Sequence, residues 1–106
     1  MRMLAIDTSG EACSVALIEG ERIIDACHET IGRGHAERLV PMISRLNDHG
    51  RSDEILVSLG PGSFTGVRIG LAAARALGIA WKARVSGYPT LALIAAMAQA
   101  EMSSPV

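Results

Sequence analysis

Short apolar runs cut by polar turns dominate the first thirty positions. Met3-Leu4-Ala5-Ile6 runs into Asp7-Thr8-Ser9-Gly10, which reads as a buried strand near 3–8 followed by a polar turn. Cys13-Ser14-Val15-Ala16-Leu17-Ile18 and Arg22-Ile23-Ile24-Asp25-Ala26-Cys27 flank Glu19-Gly20-Glu21. This pattern predicts a hairpin of strands near 12–19 and 22–28. A three-residue loop there would set Cys13 directly across from Cys27.

The period then changes. After the glycine-bearing loop Thr30 to Gly34, Ala36, Leu39, Val40 and Ile43 recur at i, i+3, i+4 and i+7, with Leu46 following. That spacing predicts an amphipathic helix near 35–47, with Glu37, Arg38, Ser44 and Arg45 outside. Pro41 lacks the N–H that would bond back to Glu37, so a kink or a late start is expected. Asp48-His49-Gly50 should end the helix. Glu54 to Leu59 reads as a second buried strand, and a helix from about Gly66 to Trp81 follows it. Val85-Ser86-Gly87-Tyr88 is a short strand, and Pro89-Thr90 opens a last helix from Leu91 to about Met102. A strand at 54–59 joined to the hairpin by a helix should lie parallel to the first strand. The expected architecture is α/β: a mixed sheet with an antiparallel meander, followed by helices.

Composition narrows the function classes. With 106 residues, 49% of them hydrophobic and 20% charged, the chain is a single folded domain. A net charge of -1 gives no general attraction to nucleic acid or to an anionic membrane. Phe64, Trp81 and Tyr88 are the whole aromatic set, too few for a base-stacking platform. The opening apolar run is too short for a signal peptide, and Leu91 to Met97 falls far below the roughly 18 residues of a membrane span. Two cysteines do not make a disulfide framework. Together these predict a soluble cytoplasmic protein.

Three features could carry chemistry. Asp7, Thr8 and Ser9 at a strand end could hold a magnesium–phosphate unit, or could form a hydrogen-bonded turn. Gly60-Pro61-Gly62-Ser63-Phe64-Thr65-Gly66 joins a strand to a helix start, where free N–H groups favour anions. It is neither a Walker loop nor the dinucleotide fingerprint. The alternative is a tight turn with Ser63 or Thr65 capping the helix. Phe64, amid such small residues, is expected to insert into a core. Third, Gly66, Gly70, Ala74 and Gly78 fall at steps of four, a ridge of small residues on one helix face. Arg68 and Arg75 share a second face, as solvent charges or as an interface pair. His28, His35 and His49 have no metal-ligand spacing, and no Gly-x-Ser-x-Gly elbow appears.

Three blocks, Met3 to Ser9, His35 to Pro41 and Gly60 to Gly70, occur in an order and spacing that resembles the N-terminal half of the bacterial TsaB (YeaZ) family. The resemblance covers essentially the whole chain, and the Gly-Pro-Gly-Ser-Phe-Thr-Gly block is its most specific part. It implies an actin-like, ribonuclease H-like domain of the ASKHA ATPase superfamily. It also implies a part in making threonylcarbamoyladenosine at position 37 of tRNA. In that family the role is a non-catalytic partner of the catalytic subunit TsaD, working with the ATPase TsaE; older labels are glycoprotease-like or peptidase M22. Asp7, Thr8 and Ser9 would then be a degenerate phosphate loop. The glycine-rich loop (Gly60, Gly62, Ser63, Thr65, Gly66) would open the second helix. The helical dimer interface would carry Leu39, Ile43, Leu46, Arg68, Gly70, Ala74 and Gly78. Pro41 matches the family's His-x-x-x-Leu-x-Pro.

Family members run to about twice this length, with a second related domain completing the cleft. Residues 1–106 therefore read as one N-terminal domain without its second. With half a cleft, ATP binding is not expected, and neither a cofactor nor a metal is. Expected partners are a TsaD-type subunit or a second copy, a TsaE-type ATPase and, through the complex, tRNA. The competing readings are a kinase or ATPase half-domain using Asp7 to hold magnesium, and a metallo-glycopeptidase.

Overall fold

The computed structural model describes residues 1–89; the expected helix from Leu91 lies outside the described residues. Five strands form one sheet: β1 (Arg2–Asp7), β2 (Ala12–Glu19), β3 (Arg22–Thr30), β4 (Glu54–Ser58) and β5 (Arg84–Tyr88), in the spatial order β3-β2-β1-β4-β5. β1 pairs antiparallel with β2, and β2 with β3. Helix α1 (His35–Ser44) connects β3 to β4, and α2 (Phe64–Trp81) connects β4 to β5. Each helix returns the chain to the same end of the sheet, so β4 pairs parallel with β1 and β5 parallel with β4. The mixed sheet read from the residue pattern is the one observed.

The period of two along the strands divides the sheet into two faces. Leu4 and Ile6, Val15 and Leu17, and Ile55 and Val57 face the helices, where Leu39, Met42, Ile43 and Ala74 complete the main core. Ala5, Ala16 and Leu56 sit on the opposite face with Met3, Ile18 and Ile23. Glu29 on β3 ties α1 down through Arg38, at 2.6 Å and 2.9 Å.

Several expectations are corrected. The hairpin turns through two residues, Gly20 and Glu21, with Glu19 opposite Arg22, and the register shifts again between Leu17 and Ile18. Cys13 therefore lies opposite Glu29, and Cys27 opposite Val15, so the cysteines are diagonal and both are free. α1 does not start late; it runs from His35 to Ser44 with Pro41 inside. Pro41 and Glu37 both lie on the solvent side, where water can satisfy the unused Glu37 carbonyl. The helix ends before Asp48. Asn47–Gly50 forms a separate 3-10 turn with Asp48 and His49 in the left-handed region. There Arg2 Nη1 donates to Asp48 Oδ2 at 2.6 Å. Phe64 does not enter a core: it is 76% exposed, at the first position of α2, with the Arg68 guanidinium 5.4 Å from its ring centroid.

Cys13 is wholly buried, and burial, reinforced by the Glu29 charge, pushes its thiol from 9.0 to about 11. The thiolate is the reactive form. Alkylation at neutral pH followed by mass spectrometry should therefore modify half-buried Cys27 and spare Cys13 until the chain unfolds. The unfolded chain releases the Cys13 proton near 9.0 and the folded chain near 11, so this group lowers stability as pH rises across that window. Equal labelling of both thiols in the folded chain would contradict this burial.

Candidate functional site

The two polar loops singled out from the sequence lie against each other at one end of the sheet. Asp7 closes β1, and its Oδ1 accepts from the Ser9 N–H at 2.9 Å and from Ser9 Oγ at 2.7 Å. This fixes the tight turn. Thr8 Oγ1 donates to the Gly66 carbonyl at 2.6 Å. From the opposite side, the Ser63 N–H donates to the Ser9 carbonyl at 2.6 Å. Ser63 Oγ accepts the Gly66 N–H at 3.2 Å and caps α2. Ser58 Oγ reaches Ser9 Oγ at 3.4 Å. Two bonds thus join the loops, Thr8 Oγ1 to the Gly66 carbonyl and Ser63 N–H to the Ser9 carbonyl, and the others brace each loop from within.

The glycines permit this contact. A Cβ on Gly66 would overlap the Thr8 carbonyl oxygen, and one on Gly62 would overlap the Ser9 carbonyl. Gly60 sits at φ +95, a left-handed value that side chains rarely adopt. The Gly-rich block is therefore the socket for the β1–β2 turn. Of the two capping candidates, Ser63 is the cap. Thr65 is exposed and lines a neighbouring cavity.

The residues expected at a subunit interface are mostly turned inward, which is a correction. Leu39, Ile43 and Leu46 are buried in this chain's own core. Gly70 faces Thr8, Val57 and Ile6. Gly78 faces Val85 and the Ala83 carbonyl, and Ala74 is fully buried. The ridge of small residues lets α2 lie close on the sheet rather than on a second helix. Arg68 alone of that set is exposed. The second face of α2, marked in the sequence by Arg68 and Arg75, is exposed, and it also carries Phe64, Ala72, Ala76 and Ile79, which sequence reasoning missed as members of it. Ile79 is 83% exposed. Its phase was legible: positions 64, 68, 72, 75, 76 and 79 recur at helical spacing out of step with the glycines.

The three histidines are separate. His28 Nδ1 pairs with Ser14 Oγ at 2.5 Å, and His49 Nδ1 pairs with the Ser44 carbonyl at 2.9 Å. His35, at the first turn of α1, lines the cavity between the two helix starts. Among the described residues no three His, Cys, Asp or Glu side chains gather as a metal site, and no helix is long and apolar enough to cross a membrane.

The family model of TsaD, tRNA N6-adenosine threonylcarbamoyltransferase, matches residues 26–106. The tRNA threonylcarbamoyladenosine biosynthesis protein TsaB of Escherichia coli K12 is 41% identical over 100 residues, which is 90% of this chain and 43% of that protein. The structure of YeaZ from Pseudomonas aeruginosa superposes with a TM-score of 0.81 at 40% identity, over 97% of this chain and 50% of that one. Thermus thermophilus RuvC superposes at a TM-score of 0.59 with 14% identity, over 84% of this chain and 62% of that one; this shows a shared ribonuclease H-like fold. The chain spans about half the length of these TsaB and YeaZ relatives. The chain belongs to the TsaD-type threonylcarbamoyltransferase family, and within it stands with the TsaB (YeaZ) proteins.

Proposed function

We propose that this chain is a non-catalytic scaffold unit in the biosynthesis of threonylcarbamoyladenosine on tRNA, and that it docks on a TsaD-type catalytic subunit. The observation that carries this is the outward face of α2. Phe64 and Ile79 stand 76% and 83% exposed at either end of it, with small Ala72 and Ala76 and the cations Arg68 and Arg75 between. Apolar anchors flanked by arginine are the composition of a protein-binding surface. Exposed Ala36, Val40 and Pro41 on α1 supply further apolar area. A TsaE-type ATPase joins this assembly, tRNA is held by the complex rather than by this weakly acidic chain, and the setting is the cytoplasm. A homodimer through the same face is the alternative assembly.

The interlocked loops support the non-catalytic part. Asp7 Oδ1 is engaged by Ser9, and the Ser63 N–H by the Ser9 carbonyl. A magnesium–nucleotide would have to share Asp7 with Ser9 and compete for the Ser63 N–H. Calorimetry with magnesium-ATP should give no binding heat; saturable binding lost in Asp7→Ala would favour the ATPase half-domain instead.

Replacing Ile79 with Asp tests the docking face directly. The side chain is exposed, so the melting temperature should hold within a few degrees. Affinity for the TsaD-type subunit should fall about tenfold or more, since an apolar anchor replaced by a charge that must be desolvated on docking costs at least ~1.4 kcal/mol. Unchanged affinity by sedimentation or calorimetry would exclude this face.

A further inference from the structure

The net charge of -1 conceals two opposite surfaces. Stretches 33–51 and 63–82 hold α1, α2 and the turns that flank them, and they carry seven cations and two carboxylates. The rest of the described chain, the strands and their connections, carries three cations and eight carboxylates. The helix layer is thus net +5 and the sheet net -5 among the described residues. We infer, building on the docking role proposed above, that the exposed face of α2 is shaped for an acidic protein face with its own apolar anchors, and that its charge turns away a second copy of this chain.

Internal pairing leaves most of the positive charge free. Arg38 and Arg45 reach Glu29 of β3 at 2.6 Å and 3.8 Å. Asp48 is held by Arg2 at 2.6 Å, which leaves Glu37 as the one carboxylate of the helix layer outside an ion pair among the described residues. Arg33, Arg51, Arg68, Arg75 and Lys82 are exposed and form no ion pair among the described residues. α2 itself carries Arg68 and Arg75 and no carboxylate in its 18 residues. Those two arginines stand two turns, roughly 10 Å, apart on one side of the helix.

This charge selects among partners. A two-fold dimer sets the same patch of each copy against the other. Arg68 and Arg75 would then meet their own counterparts, with no acid on α2 to relieve them, and like charges across an interface cost affinity. A partner with carboxylates beside apolar side chains offers the arginines paired acceptors, while Phe64 and Ile79 supply the apolar contact. Nucleic acid fits less well. Phosphate contacts call for cations and polar groups along the backbone, whereas Ala72, Ala76 and Ile79 fill the space around the two arginines. The one aromatic ring on the face, Phe64, already stacks with Arg68.

Association and dissociation rates with the TsaD-type subunit test this. Raising sodium chloride from about 0.1 to about 1 M shortens the screening length from roughly 10 to 3 Å and should slow association about tenfold or more. Arg75→Glu should slow it similarly at low salt, with the melting temperature held, because the side chain is exposed. Arg75→Lys should keep the native rate. Arg22→Glu makes the same change in net charge at an exposed position of β3 and should leave the rate nearly unchanged. In sedimentation, native chain mixed with the Arg68→Glu/Arg75→Glu double variant should form a dimer that neither forms alone. Association that ignores both salt and Arg75→Glu, while Ile79→Asp still weakens docking, overturns the charge selection and leaves the docking face standing. An Ile79→Asp chain that docks like the native one removes the docking role and this inference with it. A native homodimer as tight at low salt as at high salt overturns it too. So does tRNA binding by the free chain that Arg75→Glu abolishes while subunit docking is untouched; that result would assign the face to nucleic acid.

Discussion

Gly66→Ala is expected to lower the melting temperature by roughly 10–20 °C, an effect of about 3 kcal/mol for a domain of this size. The size follows from what the new methyl meets. In an ordinary helix interior, Ala is favoured over Gly by about 1 kcal/mol. At Gly66 the sign reverses, because the Cβ would occupy the position of the Thr8 carbonyl oxygen. That oxygen belongs to backbone, fixed by β1 and by the Asp7–Ser9 turn, so it cannot rotate aside as a side chain would. The loops must part, and with them the bonds from Thr8 Oγ1 to the Gly66 carbonyl and from Ser63 N–H to the Ser9 carbonyl. Gly10 on the same turn is the control: a Cβ there meets nothing within 4 Å, so Gly10→Ala should leave the melting temperature nearly unchanged. Thermal unfolding of the two variants side by side checks the idea. A Gly66→Ala chain as stable as the native one would mean the loops are not locked together.

Gly70→Leu should cost the fold rather than a subunit contact. A Cβ at Gly70 would lie 2.7 Å from Thr8 Oγ1 and 3.2 Å from Val57 Cγ2, with Ile6 Cγ2 at 3.6 Å. The rest of a leucine side chain has nowhere to go between α2 and the sheet. Overpacking of this kind costs about 1–3 kcal/mol and occasionally more. Four added carbons against β1 and β4 put this site at the upper end, a large share of the stability of a small domain. Sedimentation and melting measured together separate the alternatives. Loss of cooperative unfolding fits a ridge seated on the sheet. A folded monomer that has lost only its partner would place the ridge at an interface and contradict the burial seen here. Set beside Ile79→Asp, which should keep the fold and lose the partner, the pair assigns the two faces of α2 to opposite tasks.

The docking face illustrates how far pattern reading reaches. The spacing Gly66, Gly70, Ala74, Gly78 was legible, and so was the need for a close neighbour. Which neighbour was not legible. A ridge of small residues fits a helix or a sheet equally well, since both offer a flat backbone surface. Leu39, Ile43 and Leu46 pose the same ambiguity: an apolar stripe on a helix must be covered, but the stripe does not say by what. Phe64 was misplaced for the converse reason. Its size argues for burial, yet its phase on α2 points it away from Gly66 and Gly70, and helical geometry prevails.

The sequence by itself determined the order of strands and helices, the parallel pairing of β4 with β1, and the family. Local periodicity and the crossover helices fix the first two, and the Gly-Pro-Gly-Ser-Phe-Thr-Gly block carries the third. It also determined that Asp7 to Ser9 and Gly60 to Gly66 were each special. Only the tertiary structure decided that the two are halves of one clasp. Their contact joins residues more than fifty positions apart, and each loop alone has the donors, acceptors and glycines of an anion site. Bringing the backbones together directs those same groups at each other, and no local pattern can register that.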